Sequence, residues 1–410
     1  MKTHLSFWRR LARAVRESVS LATMTAHRDH RPLLLILASA LLGLQAIPGY
    51  AQEPEPRIEL YTVGRGDYLF SKFGHAALCV VRPTGREGLC YNYGTADFST
   101  PGPLAWAVLR GRAEFWVSVA PTDQMLAFYR AEDRTIYRQV LPLEPEQAAQ
   151  MERALSTSAL PENRQYRYDH FLDNCSTRPR DHIDAATGGA LRSVPDDSLD
   201  RSFTFRTLIR ENLANDPVYF LLAESFLGRP MDRERSEYEA MFLPRILRDA
   251  VERHLRVAPE VVYARRGPIG SRPPLVVMHR LVLAFAIGIA ACLTVTVGSP
   301  RTASRSIRLF ACLFGTLGCA AWILAVLSPI PEIRYNEILL VFLPTDFLLL
   351  LGSTRAASVY LRVRVFGLLL VALLLASGIL IQPLGTFLSL TLPVLSAAWV
   401  RELARSPSAR

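Results

Sequence analysis

The chain has 410 residues, 50% of them apolar, and carries 47 Lys and Arg against 37 Asp and Glu for a formal charge of +10. That length allows two or three domains, and that apolar share is high for a soluble protein. Lys2 and six arginines against Glu17 and Asp29 put +5 into residues 1–51, and nine arginines with Glu402 put +8 into short segments between C-terminal apolar runs. What remains is near neutral or slightly acidic, so the basic balance reads as a topology signal and excludes a polyanion-binding patch.

Residues 33–51, LLLILASALLGLQAIPGYA, follow Arg28 and Arg31 and end with Gly49 and Ala51 at the minus-three and minus-one places of a signal peptide cleaved after Ala51. The basic n-region before this block is long, and a start at Met24 gives an ordinary one. An uncleaved signal anchor is the alternative, because IPGYAQEPEP also suits a helix end.

Residues 52–263 have the mixed composition of a globular domain. Strand composition recurs at 58–63, 75–81 and 89–93, with the turn formers VRPTGREG before the third. Setting Cys79 opposite Cys90 leaves PTGR as a four-residue turn and puts His75, Ala77 and Cys79 on one face with Gly94, Asn92 and Cys90. From residue 122 onward helical patterns dominate in TDQMLAFYRAED, EPEQAAQMERALSTSA, SFTFRTLIRENL and LPRILRDAVERHLRV. The exported domain is expected to be α+β.

Its cysteines number three: Cys79, Cys90 and Cys175. A disulfide between the hairpin pair leaves Cys175 over, and a leftover exported thiol is a candidate nucleophile; the alternative is a buried inert thiol beside a reduced hairpin. Cys175 lies in YDHFLDNCSTRPRDHID among polar and charged neighbours, poor company for a packing residue. The stretch reads as a loop entering a short helix that stops at Gly188 and Gly189, with Asn174 as cap. A sulfur at a helix amino end is expected to favour the thiolate, though Pro179 allows the helix to begin only after it.

Such a nucleophile needs a base, and the domain offers His75, His170, His182 and His254. His182 is two helical turns, about 10 Å, beyond Cys175. His170 requires a folded-back loop, and His254 alternates with Arg253 and Arg256 on a helix face expected to be solvated. His75 opens a strand after Gly74, the usual stage for Cys–His chemistry, and is the preferred base among the four, although a lone strand histidine is more often structural. Asn92, a diagonal step away, and Asp97, in the next loop, are alternative third members that fix the imidazole.

Pro and Gly in ARRGPIGSRPP mark a linker over 264–274, followed by a membrane domain over 275–400 and a cytoplasmic tail over 401–410. Five all-α spans are expected, at 281–298, 309–328, 336–352, 365–382 and 385–400. Arg301, Arg305, Arg308, Arg355, Arg362, Arg364, Arg401, Arg405 and Arg410 then fall inside, in agreement with the positive-inside rule. Arg265, Arg266, Arg272 and Arg280 disagree, and either hold anionic headgroups or cap the linker. Asp346 is an acid at membrane depth with no partner of opposite charge in view.

The stretches FGHAAL, YNYGTADF and YDHFLDNCSTRPRDHID, in this order, resemble the Lnb-type family, and the likeness runs through SFTFRTLIREN and LGRPMDRERSEYEAMFLP to about residue 250. The resemblance implies a circularly permuted NlpC/papain-type fold with the histidine strand ahead of the cysteine helix, followed by membrane helices in a bacterial inner membrane. It also implies a lipoprotein N-acyltransferase: Cys175 takes a fatty acyl group from a phospholipid as a thioester and passes it to the α-amine of a lipoprotein, with His75 moving the proton. Helix-start amides, Asn174, Tyr93 and Asp97 are candidates for oxyanion or substrate support. Arg178 either meets a phosphate or pairs with Asp173 or Asp181. A Cys–His peptidase or amidase acting on cell-wall peptides, or a non-catalytic membrane partner, are the competing readings. No Gly-rich phosphate loop or metal-ligand spacing is present, so no cofactor is implied.

Overall fold

The computed structural model describes residues 55–82, 88–193, 203–268, 277–352 and 354–405. The expected signal peptide, the PTGR turn, most of the expected linker and residues 406–410 lie outside them.

Strand β1 (Arg57–Val63) pairs antiparallel with β2 (His75–Val81), from Arg57 opposite Val81 to Val63 opposite His75. β3 (Leu89–Thr95) adds to β2 with Cys79 opposite Cys90, and these two cysteines are disulfide-bonded. After helix α1 (Pro101–Leu109), β4 (Glu114–Pro121) returns beside β3 and leads directly into α2 (Thr122–Ala131). β5 (Ile136–Val140) then pairs on the far side of β1. Helix α3 (Pro145–Ser158), β6 (Gln165–Arg167) and α4 (Thr177–Ala186) follow. The rest of the domain is β7 (Phe203–Thr204), α5 (Phe205–Leu213), α6 (Pro217–Phe226), β8 (Glu234–Arg235), α7 (Glu237–Ala240), α8 (Pro244–Leu255) and β9 (Glu260–Tyr263). The main sheet has the order β6-β4-β3-β2-β1-β5-β9, and β7 pairs with β8. This is a mixed α+β domain.

Both faces of the sheet are covered, so its strands bury consecutive residues and lose simple alternation. Ile58, Leu60, Leu78, Tyr91 and Tyr93 meet Met151, Leu155, Ile183, Leu208 and Leu247 from α3, α4, α5 and α8. On the other face Tyr61, Val63, Ala77, Cys79 and Cys90 lie with Met125 and Tyr129 of α2. Each fully buried leucine here contributes about 2 kcal/mol of transfer free energy. Helix α8 buries Ile246, Leu247, Ala250 and Val251 along one stripe. His254 is not the solvated residue expected from its arginine neighbours: its Nε2 lies 2.7 Å from Oε2 of buried Glu237, which also pairs with Arg253. A buried carboxylate needs partners, and α8 carries two.

The C-terminal part contains α9 (Val277–Val297), α10 (Pro300–Leu327), α11 (Pro331–Arg334), α12 (Arg355–Ala376) and α13 (Gly385–Arg405). Three helical segments are long and apolar enough to cross a membrane, Pro300–Leu327, Arg355–Ala376 and Gly385–Ala404; the apolar stretch Val282–Val297 is shorter. The continuous helix expected over 336–352 is not formed. There the backbone makes two 3-10 segments, Glu337–Leu340 and Pro344–Leu351. Pro344 has no N–H for a continuous ladder, and the irregular run is tolerated because it is packed against α10, where Gly318 admits the Leu343–Pro344 backbone.

Asp346 has the partner that the sequence reading missed. Its carboxylate accepts from Arg364 Nε at 2.8 Å and Nη2 at 3.0 Å and from the Tyr360 hydroxyl at 2.6 Å. Arg364 is therefore a buried residue of α12, not a cytoplasmic loop charge. Likewise Arg401 and Arg405 continue α13, and Arg401 donates to the carbonyls of Val295, Thr296 and Gly298 at the end of α9.

The two parts meet at a narrow joint. The Gly228 N–H donates to Glu332 O and the Arg229 N–H to Tyr335 O, while Arg229 Nη1 reaches Glu337 and Ile379 O. A Cβ at Gly228 would stand 2.2 Å from Tyr335 O, so only glycine permits this approach. Of the expected linker cluster, Arg265 pairs with Asp67 and donates to Gly267 O, holding the end of the domain down.

Candidate active site

Cys175 sits at the entrance to α4, where a polar loop is tied by Asn174. The Asn174 carboxamide oxygen accepts from the N–H of Ser176 at 2.7 Å and of Thr177 at 2.9 Å, while its amide donates to His170 O and Phe242 O. Asn174 thus caps the helix, as its residue type favours. With both amide hydrogens engaged it does not serve as the expected oxyanion donor. Thr177 already belongs to the helix, so Pro179 falls within the first turn, where a missing N–H costs little.

The sulfur meets the sheet at the ends of β2 and β3. The backbone N–H of Ala76 faces it, and Gly94, at φ +86°, lies so close that an added Cβ would be 3.0 Å from Cys175 Cβ. Glycine serves twice here, through its left-handed backbone and its lack of a side chain. One residue before Ala76, His75 Nε2 lies 3.2 Å from Asn92 Oδ1. Asn92 Nδ2 donates to Cys90 O, which leaves oxygen as the atom facing the ring. An oxygen acceptor requires hydrogen on Nε2, so Nδ1 is the basic nitrogen.

The other expected support residues lie elsewhere. Tyr93, one strand position from Asn92, turns to the opposite face, where its hydroxyl meets Ser158 Oγ at 2.7 Å and His182 Nε2 at 2.8 Å. Asp97 is exposed and accepts from Ser99, not from His75. Arg178 forms a bidentate pair with Asp173 and lies 4.1 Å above the Tyr166 ring, the ion-pair alternative to a phosphate contact. His170 is beside Tyr168, its Nδ1 3.1 Å from the hydroxyl, and is ringed by Phe73, Phe171 and Phe242.

Three neighbours escape the sequence reading: Arg134, Tyr129 and Tyr168. Arg134, only 4% exposed, donates from Nε to Gly64 O and lies 5.0 Å above the Tyr129 ring, which is 5.6 Å from the His75 ring. Its Nη2 has no hydrogen-bond partner. A cation among apolar helix and strand residues is itself a signal, because arginine is buried only with a purpose.

Burial pushes the Cys175 thiol up to about 11; the Ala76 N–H and the Arg134 charge pull the other way without prevailing. Burial, helped by Arg134, pushes His75 down to about 4, and the Asn92 bond opposes this weakly. The resting pair is a thiol and a neutral imidazole, contrary to the expected thiolate. The cause is burial of the sulfur, which outweighs the Ala76 N–H and the Arg134 charge, while the Ser176 and Thr177 amides are held by Asn174. Both residues keep partial access to the surface. Among the described residues no group of three or more His, Cys, Asp or Glu is placed to hold a metal ion.

Residues 52–211 match the family model of the Lnb N-terminal periplasmic domain. This segment belongs to that family. The Lnb domain thus contains His75, Asn92 and Cys175, while its match ends before the joint and the apolar helices. Comparison with curated proteins and with solved structures finds no match to the chain. A periplasmic domain joined to membrane-long helices makes this an inner-membrane protein.

Proposed function

We propose that this Lnb-type chain is a thiol-dependent acyltransferase that moves a fatty acyl group from a phospholipid to the amino-terminal amine of a lipoprotein. The observation that carries the reading is the meeting of Cys175 with the β2 and β3 ends, where His75 is oriented by Asn92, in a domain fastened to apolar helices. The order of histidine strand before cysteine helix supports a permuted NlpC/papain-type arrangement.

In the first half-reaction His75 Nδ1 accepts the thiol proton as Cys175 Sγ attacks the ester carbonyl. The carbonyl–oxygen bond of the lipid then breaks, and His75 returns the proton to the departing lysophospholipid hydroxyl. In the second, the amine nitrogen attacks the thioester, the carbon–sulfur bond breaks, and the proton lost by nitrogen passes through His75 back to sulfur. The N–H groups of Ala76 and Cys175, which face the sulfur, take the oxyanion role assigned from sequence to Asn174. A good donor of this kind contributes about 3–4 kcal/mol.

Five passes through the membrane remain our reading of its topology, with the irregular 331–351 segment as the third. Arg401 with the end of α9, and Ser358 with Glu402, join one set of turns. Glu337 with Gln382 and Arg229 joins the set beside the Lnb domain. Arg301, Arg305 and Arg308 lie in the amino-terminal part of α10 and Arg355 and Arg362 in that of α12, at the helix ends away from the domain, as a cytoplasmic face requires.

Incubating the purified full chain with phospholipid and weighing it intact tests the reaction. The expected adduct is one fatty acyl group, released by hydroxylamine and absent in Cys175→Ala. Wild-type protein that stays unmodified, or an adduct that survives Cys175→Ala, refutes the proposal.

A further inference from the structure

The reactive end of the sheet carries an aromatic patch that the transfer chemistry leaves unused. Tyr68 is 72% exposed, Phe98 45%, Trp106 42% and Phe70 36%. Tyr68 and Phe70 precede β2, whose first residue is His75, and Phe98 and Trp106 follow β3, which ends beside Cys175. The two chain segments touch, with the Phe70 and Phe98 ring centroids 5.3 Å apart. From Phe98 the rings continue inward to Phe115 at 6.3 Å and, stacked at 4.1 Å, to Tyr168. Tyr168 is close enough to Cys175 to feel its charge. A row of rings therefore leads from the surface to the neighbourhood of the thiol.

The same patch is joined to the end of a membrane-long helix. Helix α1, PGPLAWAVL, is apolar along its whole length yet has no fully buried residue. Just beyond it, Gly111 lies against the turn that follows α10: an added Cβ would be 2.9 Å from Pro329 Cγ. This brings the residue that follows α1 against the domain-side end of Pro300–Leu327, and Trp and Tyr collect at such ends in membranes. Beside Trp106, Arg110 lies 5.9 Å above the indole, and its buried Nε has no hydrogen-bond partner. Exposed apolar patches of this kind mark contact surfaces, and a cation at their edge suits an anionic headgroup.

We propose that Tyr68, Phe70, Phe98 and Trp106 form a rim that dips into the headgroup–acyl boundary and hands the chain of a bilayer glycerophospholipid to Cys175. The cargo rests on the acyl-transfer reading; the placement rests on the Gly111–Pro329 contact alone.

The test uses the full chain in vesicles of phosphatidylethanolamine and phosphatidylglycerol. The photoreactive residue p-benzoylphenylalanine placed at position 98 is expected to crosslink to phospholipid, and the same residue at position 261, on edge strand β9, is not. In parallel, Tyr68→Ser with Phe70→Ser is expected to slow acyl-enzyme formation from vesicle lipid at least tenfold. Alkylation of Cys175 by iodoacetamide, and acylation by a water-soluble short-chain ester, should change less than twofold, which separates lost access from lost folding. Crosslinking at 98 to protein and not to lipid overturns the rim, as does vesicle acylation at the wild-type rate in the double variant. A lipid crosslink at 98 with no acyl-enzyme from any donor sustains the rim and refutes only the transfer reading.

Discussion

Gly94→Ala isolates the contact between the sheet and the nucleophile. The new methyl group would stand 3.0 Å from Cys175 Cβ, against the ~3.4 Å or more of ordinary carbon contacts. The residue would also keep φ near +86°, which costs an L-residue about 1–2 kcal/mol. Relief therefore moves Cys175 by a few tenths of an ångström, and a shift of that order lowers a positioned reaction by about tenfold or more. Gly188→Ala supplies the control, because Gly188 has φ +66° but meets nothing within 4 Å at the far end of α4. Thermal unfolding should fall similarly in both variants, whereas acyl-enzyme formation, followed by intact mass, should fall only in Gly94→Ala. Equal acylation rates in the two variants would refute the close seat of Cys175 on β3.

Three further outcomes follow from the electrostatics around the thiol. Since His75 titrates near 4, the acid limb of kcat/KM should lie near pH 4 with a flat profile from about 5 to 8, and a limb near 6.5 would contradict the buried neutral imidazole. Histidines depressed in the folded state bind fewer protons than the unfolded chain, so His75 and His170 make stability fall as pH drops from about 6.5 to about 4, visible as a lower unfolding temperature at pH 4.5 than at 7. Replacing Arg134 by Gln removes a nearby positive charge, which should move the acid limb upward and slow alkylation of Cys175 at fixed pH; unchanged values for both would remove Arg134 from the site. In the apolar part, Arg364→Met leaves Asp346 buried and unpaired, a loss of about 3–5 kcal/mol, while Arg364→Met with Asp346→Leu should recover most of it. A double variant no more resistant to heat or protease than the single one would contradict that pairing.

The pairing of β2 with β3 was legible in the sequence, its PTGR turn lying outside the described residues. Cys79 opposite Cys90 follows from strand alternation and one short turn, and the disulfide forms on that register. The Cys175 loop was legible too, through Asn174 and the glycines that end α4. Its ionisation was not, since burial of the sulfur between α4 and the sheet, which outweighs the donors around it, is a property of the packed fold. Arg134, in the turn before β5, and Tyr129 of α2 lie more than forty residues before Cys175 and more than fifty after His75, and no spacing rule reaches that far. Hydropathy read 336–352 as a helix because it counts side chains, whereas Pro344 and the Asp346–Arg364 pair act on the backbone path. That same pair explains the error at Arg364, whose charge was assigned to water when its partner was eighteen residues away on a neighbouring segment.

The joint at Gly228 has a mechanical meaning. Two of its bonds run from backbone to backbone, the Arg229 side chain adds two more, and a methyl group has no room at position 228, so the domain is tied closely to the apolar part at that point. Under the proposed transfer, the distance of the thiol from the apolar helices acts as a gauge: an acceptor whose amine projects to that height would be served, and one tethered much shorter or longer would be passed over.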